Sequence, residues 1–242
     1  MRLLGSAALV TGGSRGLGAA LGRELARRGV RVVLVARGRE DVEAVAAGIR
    51  ARGGEAHALV ADVGAQDQIY PLAGAAAALV GRIDVLIHDA STLGPLPLRP
   101  LAETECEDLR RVLDVNLIGP FRLTKAVVGS MALRGRGLIV GISSDAAVVG
   151  YPGWGAYGVA KAALDHLIRT WAAELGDSGV CFLSIDPGEM DTDMHAAAMP
   201  EADRTSLADP AEVAARIADL METAEAIPSG SRVELAHVGS PA

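Results

Sequence analysis

The chain has 242 residues, half of them apolar, with a net charge of −7 and no basic cluster. That length suits one α/β domain with a substantial core, and the charge argues against a nucleic-acid partner. No uninterrupted apolar span reaches the roughly 18 residues that a membrane helix needs, so no membrane partner is expected. The two cysteines, Cys106 and Cys181, make neither a disulfide framework nor a metal spacing, which fits a reducing cytoplasm.

Residues 7–10 read as a buried strand, followed by the loop Thr11-Gly-Gly-Ser-Arg-Gly-Leu-Gly18. The apolar N-terminus could pass for a signal peptide, but the glycine loop behind it makes it a first strand. A helix over 17–28 comes next, ended by Gly29. Strand, glycine loop and helix in that order are what a dinucleotide site requires. Gly12, Gly16 and Gly18 let backbone approach a pyrophosphate, and the helix N-terminus offers free N–H groups and partial positive charge. Ser14, Arg15 and Leu17 belong to the same candidate cradle. The second strand, 31–37, ends in Ala36-Arg37, where an acidic residue would bind the 2′-hydroxyl of NAD. Arg37 and Arg15 offer instead two guanidiniums suited to a 2′-phosphate, which predicts NADP(H), with NAD(H) as the weaker alternative.

A helix is expected over 39–52, a third strand over 56–61 ending at Asp62-Val63, and an alanine-rich helix over 67–80. Asp62 at a strand end is also a common helix cap. The fourth strand, 83–88, runs into His88-Asp89-Ala90-Ser91, with His88 read as packed and hydrogen-bonded rather than catalytic. Residues 92–101 hold Pro95, Pro97 and Pro100 and must be irregular. Thr104-x-x-Glu107 predicts a capping box opening a long helix through Asn116 to about Arg134, kinked at Pro120. An asparagine inside a helix is disfavoured, so Asn116 needs a reason to be there.

Residues 137–142 are a short, branched, glycine-bounded run and read as a buried strand. Beyond it, apolar residues at 160, 164, 167, 168 and 171 recur at helical spacing over 158–175. Tyr157 and Lys161 are four apart and share one face if the helix begins by Tyr157, while Ser144 sits where the chain leaves the sheet. A serine, a tyrosine and a lysine together suit proton transfer at an alcohol oxygen. The ammonium is expected to lower the phenol's pKa towards the working range, and the serine hydroxyl to hold the substrate oxygen in line. Only two lysines and three tyrosines occur in the chain, so finding one of each at this spacing carries weight. A sixth strand over 180–186 precedes Pro187-Gly188, a segment over 194–207 lacks clear periodicity, Asp209-Pro210 caps a last helix to about 223, and a strand over 231–236 closes the chain.

Ser144, Tyr157 and Lys161 at these intervals resemble the catalytic residues of the short-chain dehydrogenase/reductase family, and Gly-x-x-x-Gly-x-Gly is similar to that family's glycine loop. The resemblance covers nearly the whole chain and implies a single doubly wound parallel sheet, the Rossmann fold, with helices on both faces. It implies reversible hydride transfer between NADP(H) and a ketone or secondary alcohol. Tyr157 is then acid in reduction and base in oxidation, Lys161 lowers its pKa and holds the nicotinamide ribose, and Ser144 polarises the carbonyl. Asn116, 28 residues before Ser144, matches the fourth catalytic residue, which holds a relay water beside the lysine. Asp62 and Val63 fall where the family contacts adenine, Ala90 where backbone passes the cofactor, and Pro187, Gly188 and Thr192 where it meets the carboxamide. An arginine pair such as Arg15 and Arg37 goes with NADP preference in this family. Asn-Asn-Ala-Gly is replaced by His88-Asp89-Ala90-Ser91, which loses an amide donor at Asp89 and tells against a positive φ at Ser91.

One domain over 1–242 is expected, with a lid at about 190–209. Substrate-side candidates are Ser144, Asp145, Tyr151, Trp154, Tyr157 and His195, with Leu93, Val149 and Met190. Apolar walls with few positive charges suit a small or medium, partly hydrophobic ketone, and Thr92-Leu-Gly-Pro is reminiscent of the branch reducing diketones and pteridine-type carbonyls. The alternatives are a non-catalytic NADP(H) sensor, a 3-oxoacyl thioester reductase and an NAD-dependent oxidising enzyme. The resemblance further implies a homodimer or homotetramer.

Overall fold

The computed structural model describes residues 2–235. Seven parallel strands form one sheet: β1 (Ala7–Thr11), β2 (Arg31–Ala36), β3 (Ala56–Val60), β4 (Val85–His88), β5 (Gly137–Ile142), β6 (Val180–Asp186) and β7 (Arg232–Glu234). Their spatial order is β3-β2-β1-β4-β5-β6-β7, so the chain winds outward from β1 in one direction and then returns to wind outward in the other. The last strand is shorter than the expected 231–236, and Ala236 lies outside the described residues.

The strands are buried on both faces, and consecutive side chains serve two different cores. Ala8, Val10, Leu34, Ile87, Val140 and Ile185 face one core, closed by α1 (Gly16–Arg27), α2 (Arg39–Arg50) and α8 (Pro210–Glu222). Leu9, Val33, Leu86, Ile139 and Phe182 face the other, closed by α3 (Gln66–Val80), α5 (Gly119–Leu133) and α6 (Gly155–Glu174). At α8 the cap is as expected: the Ala211 N–H donates to Asp209 Oδ1 at 2.8 Å, and Pro210 follows at the first helical position.

The helix carrying Asn116 differs from its sequence reading. No capping box forms at Thr104: its hydroxyl donates to the Pro100 carbonyl at 3.0 Å, and α4 (Cys106–Leu113) starts after Glu105 without a side-chain cap. Between α4 and α5 lies one π-helical turn, Asp114–Ile118. Pro120 has no N–H to offer the carbonyl four residues back, that of Asn116, so the α register is interrupted there and the wider turn takes over. The chain bulges rather than kinks at the proline. The segment without periodicity after β6 holds a short helix, α7 (Asp193–Ala198), and its base is closed by a bridge between Met190 and Ala208.

Phe182 is fully buried at the centre of the second core, with its ring parallel to Trp171 at a centroid distance of 6.4 Å. Phe182→Ala is expected to cost about 3–5 kcal/mol of stability, read by urea denaturation.

Candidate active site

Because every strand is parallel, the carboxyl ends of β1, β4, β5 and β6 open on one edge, at the point where the winding reverses. A cavity of about 1120 Å³ lies along that edge. Gly12, Ser14, Arg15, Gly16, Leu17, Arg37, Asp62, Val63, Ala90, Pro187, Gly188 and Thr192 line it, as do Ser144, Asp145, Tyr151, Trp154, Tyr157, Lys161 and His195. Leu93, Val149 and Met190 line it too. Gly18 and Asn116 stand behind its walls.

The glycine loop is built for close backbone approach. Gly12 has φ +76°, and a Cβ on Gly18 would lie 2.4 Å from the Gly12 carbonyl oxygen and 2.5 Å from Asp89 Oδ2. No side chain caps the N-terminus of α1, so its first N–H groups remain for an anion. Donors, glycines and the length of the cavity fit a dinucleotide. At the end where its ribose would lie, Arg15 and Arg37 are both exposed. Asp41, in the first turn of α2, borders the same end and was out of reach of an argument confined to the tip of β2. Asp62 does not cap α3: its carboxylate accepts from the Gly64 N–H at 2.9 Å, and the cap position is Ala65.

Tyr157 is in the first turn of α6 and Lys161 one turn on, as their spacing predicts. Lys161 is buried, donates to the Ile142 carbonyl at 2.7 Å, and has its Nζ 5.4 Å from the Tyr157 ring centroid. Its ammonium is pushed down to about 8 by burial, against the pull of Asp89, Asp165 and Asp186. The expected lowering of the Tyr157 pKa is not what the site does. Burial pushes this phenol up, the hydroxyls of Ser144 and Ser91 draw it down, and the carboxylates of Asp89 and Asp186 add to the rise.

Ser144 Oγ donates to Asp145 Oδ1 at 2.9 Å and accepts from the Ala146 N–H at 3.2 Å. Asn116 accepts from the Thr92 N–H and donates to the Thr92 carbonyl, each at 2.9 Å. Its amide therefore pins the loop after β4. Thr192 is the N-cap of α7, accepting from the His195 N–H at 3.2 Å. His88 is buried, 2.8 Å from Thr124 Oγ1, and burial drives its imidazole down to about 3. No described residue outside glycine has positive φ, so Ser91 passes the cofactor edge unstrained.

Sequence reasoning missed Arg232. From β7 it donates to the Ser144 carbonyl at 3.1 Å, to Asp186 Oδ2 at 2.7 Å, to Asp165 Oδ2 at 3.1 Å, and to Glu234. It thereby ties the last strand to the backbone of the candidate catalytic serine. No local motif announces a contact 88 residues away.

Asp89 lies under the glycine loop, where burial pushes its carboxyl up to about 7 against the pull of Lys161 and of the Gly18 N–H. A carboxyl held above its unfolded value binds its proton more tightly in the native state. Native stability therefore falls as pH rises from about 4 to about 7. Asp89→Asn is expected to remove that decline, on the order of 2 kcal/mol, so that the variant gains on the parent at pH 7.5 relative to pH 5 in chemical denaturation.

Residues 6–203 match the family model of the short-chain dehydrogenases. A 3-oxoacyl-[acyl-carrier-protein] reductase of Synechocystis is 40% identical over 194 residues, covering 79% of this chain and 77% of that protein. The crystal structure of NAD+-bound xylitol dehydrogenase superposes with a TM-score of 0.86 at 26% identity, over 97% of this chain and 99% of that one. A single-residue variant of actinorhodin polyketide ketoreductase, solved with NADPH, does so with a TM-score of 0.86 at 28% identity, over 95% of each chain. Together with the fold and the cavity, these likenesses make the chain a member of the short-chain dehydrogenase/reductase family of oxidoreductases.

Proposed function

We propose that the chain reduces a small or medium, partly hydrophobic ketone to a secondary alcohol at the expense of NADPH, with one proton consumed per turnover. The observation that carries this is the Tyr157 phenol, buried beside the hydroxyls of Ser144 and Ser91, with Lys161 behind it, on the cavity that also contains the glycine loop. When bound, the reduced nicotinamide supplies hydride to the carbonyl carbon. Tyr157, kept protonated by its dry surroundings, donates its proton to the carbonyl oxygen as charge develops there. Ser144 holds the same oxygen, and Lys161 steadies the phenolate left behind. Asn116 serves the site by fixing the Thr92 loop that walls it.

Gly12, Ser14, Gly16 and the start of α1 would hold the pyrophosphate, with Asp62, Val63 and Ala90 along the adenosine and Pro187, Gly188 and Thr192 at the nicotinamide. Arg15 and Arg37 support NADP(H); Asp41 beside them, and the NAD+-bound relative, support the NAD(H) alternative. Leu93, Trp154 and Met194, packed with Tyr157, support a partly hydrophobic substrate. The Synechocystis relative favours a 3-oxoacyl thioester as the second reading. The chain works as one domain, with residues 190–209, which include α7, as a lid over the substrate. No helix among the described residues is long and apolar enough to cross a membrane, and with two free cysteines this supports a cytoplasmic enzyme. Exposed Phe121 and Val159 on α5 and α6 support assembly into a homodimer or homotetramer.

Tyr157→Phe is expected to lower kcat by about a thousandfold while NADPH still binds, followed by fluorescence titration and by NADPH oxidation with a ketone panel. Retained turnover would remove Tyr157 from the acid's place. Arg37→Ala is expected to cut the NADPH-over-NADH ratio of kcat/KM by about tenfold or more, and an unchanged ratio would favour NAD(H).

A further inference from the structure

The two ends of the cavity differ in charge, the ribose end mixing arginines with Asp41 and Asp62. Arg15 and Arg37 stand at the ribose end, and Arg111 lies one helical turn from Val115, which packs on Gly64 beside Asp62. Beyond Tyr157 the lining changes to Asp145 and Glu189. The field of these carboxylates is felt by Tyr151, whose phenol is raised first by its hydrogen bond to Asp145 and further by Glu189 and Asp186. On the same side, His195 has both ring nitrogens buried and without a hydrogen bond, with Nε2 3.7 Å from Glu189 Oε1.

Asp145 is bound up with the reacting position. Its Oδ1 accepts from Ser144 Oγ at 2.9 Å and from the Ala146 N–H at 2.8 Å, and its Oδ2 accepts from Tyr151 at 2.8 Å. Ser144 has one hydroxyl proton, and here Asp145 holds it. To polarise a carbonyl, Ser144 must turn that proton away from Asp145 and onto the substrate. The carboxylate keeps the Ala146 N–H and Tyr151, but the side of Oδ1 that Ser144 leaves opens towards the entering substrate. A donor on the substrate, next to the carbonyl, would fill it, because vicinal oxygens of a hydroxy ketone are spaced much as Ser144 Oγ and Asp145 Oδ1 are. A substrate with no donor forgoes that bond, and one with a carboxylate or phosphate there meets like charge.

We propose that the substrate carries a hydrogen-bond donor, a hydroxyl or an ammonium group, on the carbon next to its reacting carbonyl, and that Asp145 receives it as Ser144 turns to the carbonyl. This rests on the reading of Ser144 and Tyr157 given above. It makes Asp145 the residue that selects among ketones, with the apolar floor of Leu93, Trp154 and Met194 taking the rest of the molecule. It also sets the site against anionic carbonyl compounds.

The test is NADPH oxidation with 2-hydroxyacetophenone, 2-aminoacetophenone, 2-methoxyacetophenone and phenylglyoxylate. The methoxy ketone matches the electron withdrawal of the hydroxy ketone without its donor. The hydroxy and amino ketones are expected to exceed the methoxy ketone in kcat/KM by about tenfold or more, and phenylglyoxylate to fall below it. Asp145→Asn keeps an acceptor without the charge and is expected to lower the amino ketone's advantage more than the hydroxy ketone's; Asp145→Ala is expected to lower both towards the methoxy ketone. Equal kcat/KM for hydroxy and methoxy ketones in the parent enzyme, or a preference that survives Asp145→Ala, would overturn the assignment alone. No turnover of any of the four by enzyme that binds NADPH would overturn the substrate class proposed above, and this inference with it.

Discussion

An ammonium group with almost no contact with water is the constraint around which this site is arranged. Lys161 has only 2% of its surface exposed, and a bare charge in that position is costly. The protein answers with the Ile142 carbonyl and with the fields of Asp89, Asp165 and Asp186. Arg232 is the second cation of the group, bridging Asp165 and Asp186. Arg232 also pairs with Glu234, so carboxylates outnumber cations in this group, and Asp89 is pushed up to about 7. A proton held there reduces the excess of negative charge.

The sheet follows from repetition along the chain. Short apolar runs alternate with amphipathic helices, and a parallel sheet covered on both faces is the arrangement that buries such runs completely. Its winding reverses after β3, which brings Thr11 against the loop after β4: Thr11 Oγ1 accepts from the Asp89 and Ala90 N–H groups and donates to the Ile87 carbonyl. The same reversal opens the crevice. Fold and site position are thus one consequence of one topology.

What could be read from the sequence was what is encoded locally. Tyr157 and Lys161 share a helix face because four residues make about one turn, and the glycine loop announces itself through Gly12, Gly16 and Gly18. His88 was correctly read as a packed, hydrogen-bonded residue. The capping box at Thr104 failed because the Pro100 carbonyl, upstream and irregular, took its hydroxyl. The π turn at Asn116 depends on a proline four residues later, and Arg232 reaches Ser144 across the whole second half of the chain. The direction of the Tyr157 pKa was misjudged for the same reason. The nearby lysine is visible in sequence, whereas the exclusion of water around the phenol is the work of Trp154 at the start of the same helix and of Leu93 and Met194, brought in from two other segments.

That reversal bears on the direction of the chemistry. An exposed tyrosine beside an ammonium would be drawn towards phenolate, and a phenolate is equipped to take a proton from an alcohol. A phenol kept neutral by burial, flanked by carboxylates, is equipped to give one to a carbonyl oxygen. In the reaction proposed above, Lys161, with its Nζ 5.4 Å from the ring, would stabilise the phenolate once it forms, in the transition state and the product. The acceptor carboxylate of Asp145 works in the same sense, since it holds the Ser144 proton until a carbonyl oxygen competes for it. In the reaction proposed above, both hydroxyls would act as donors to the carbonyl oxygen, and in the reverse reaction the same two groups would take the proton back.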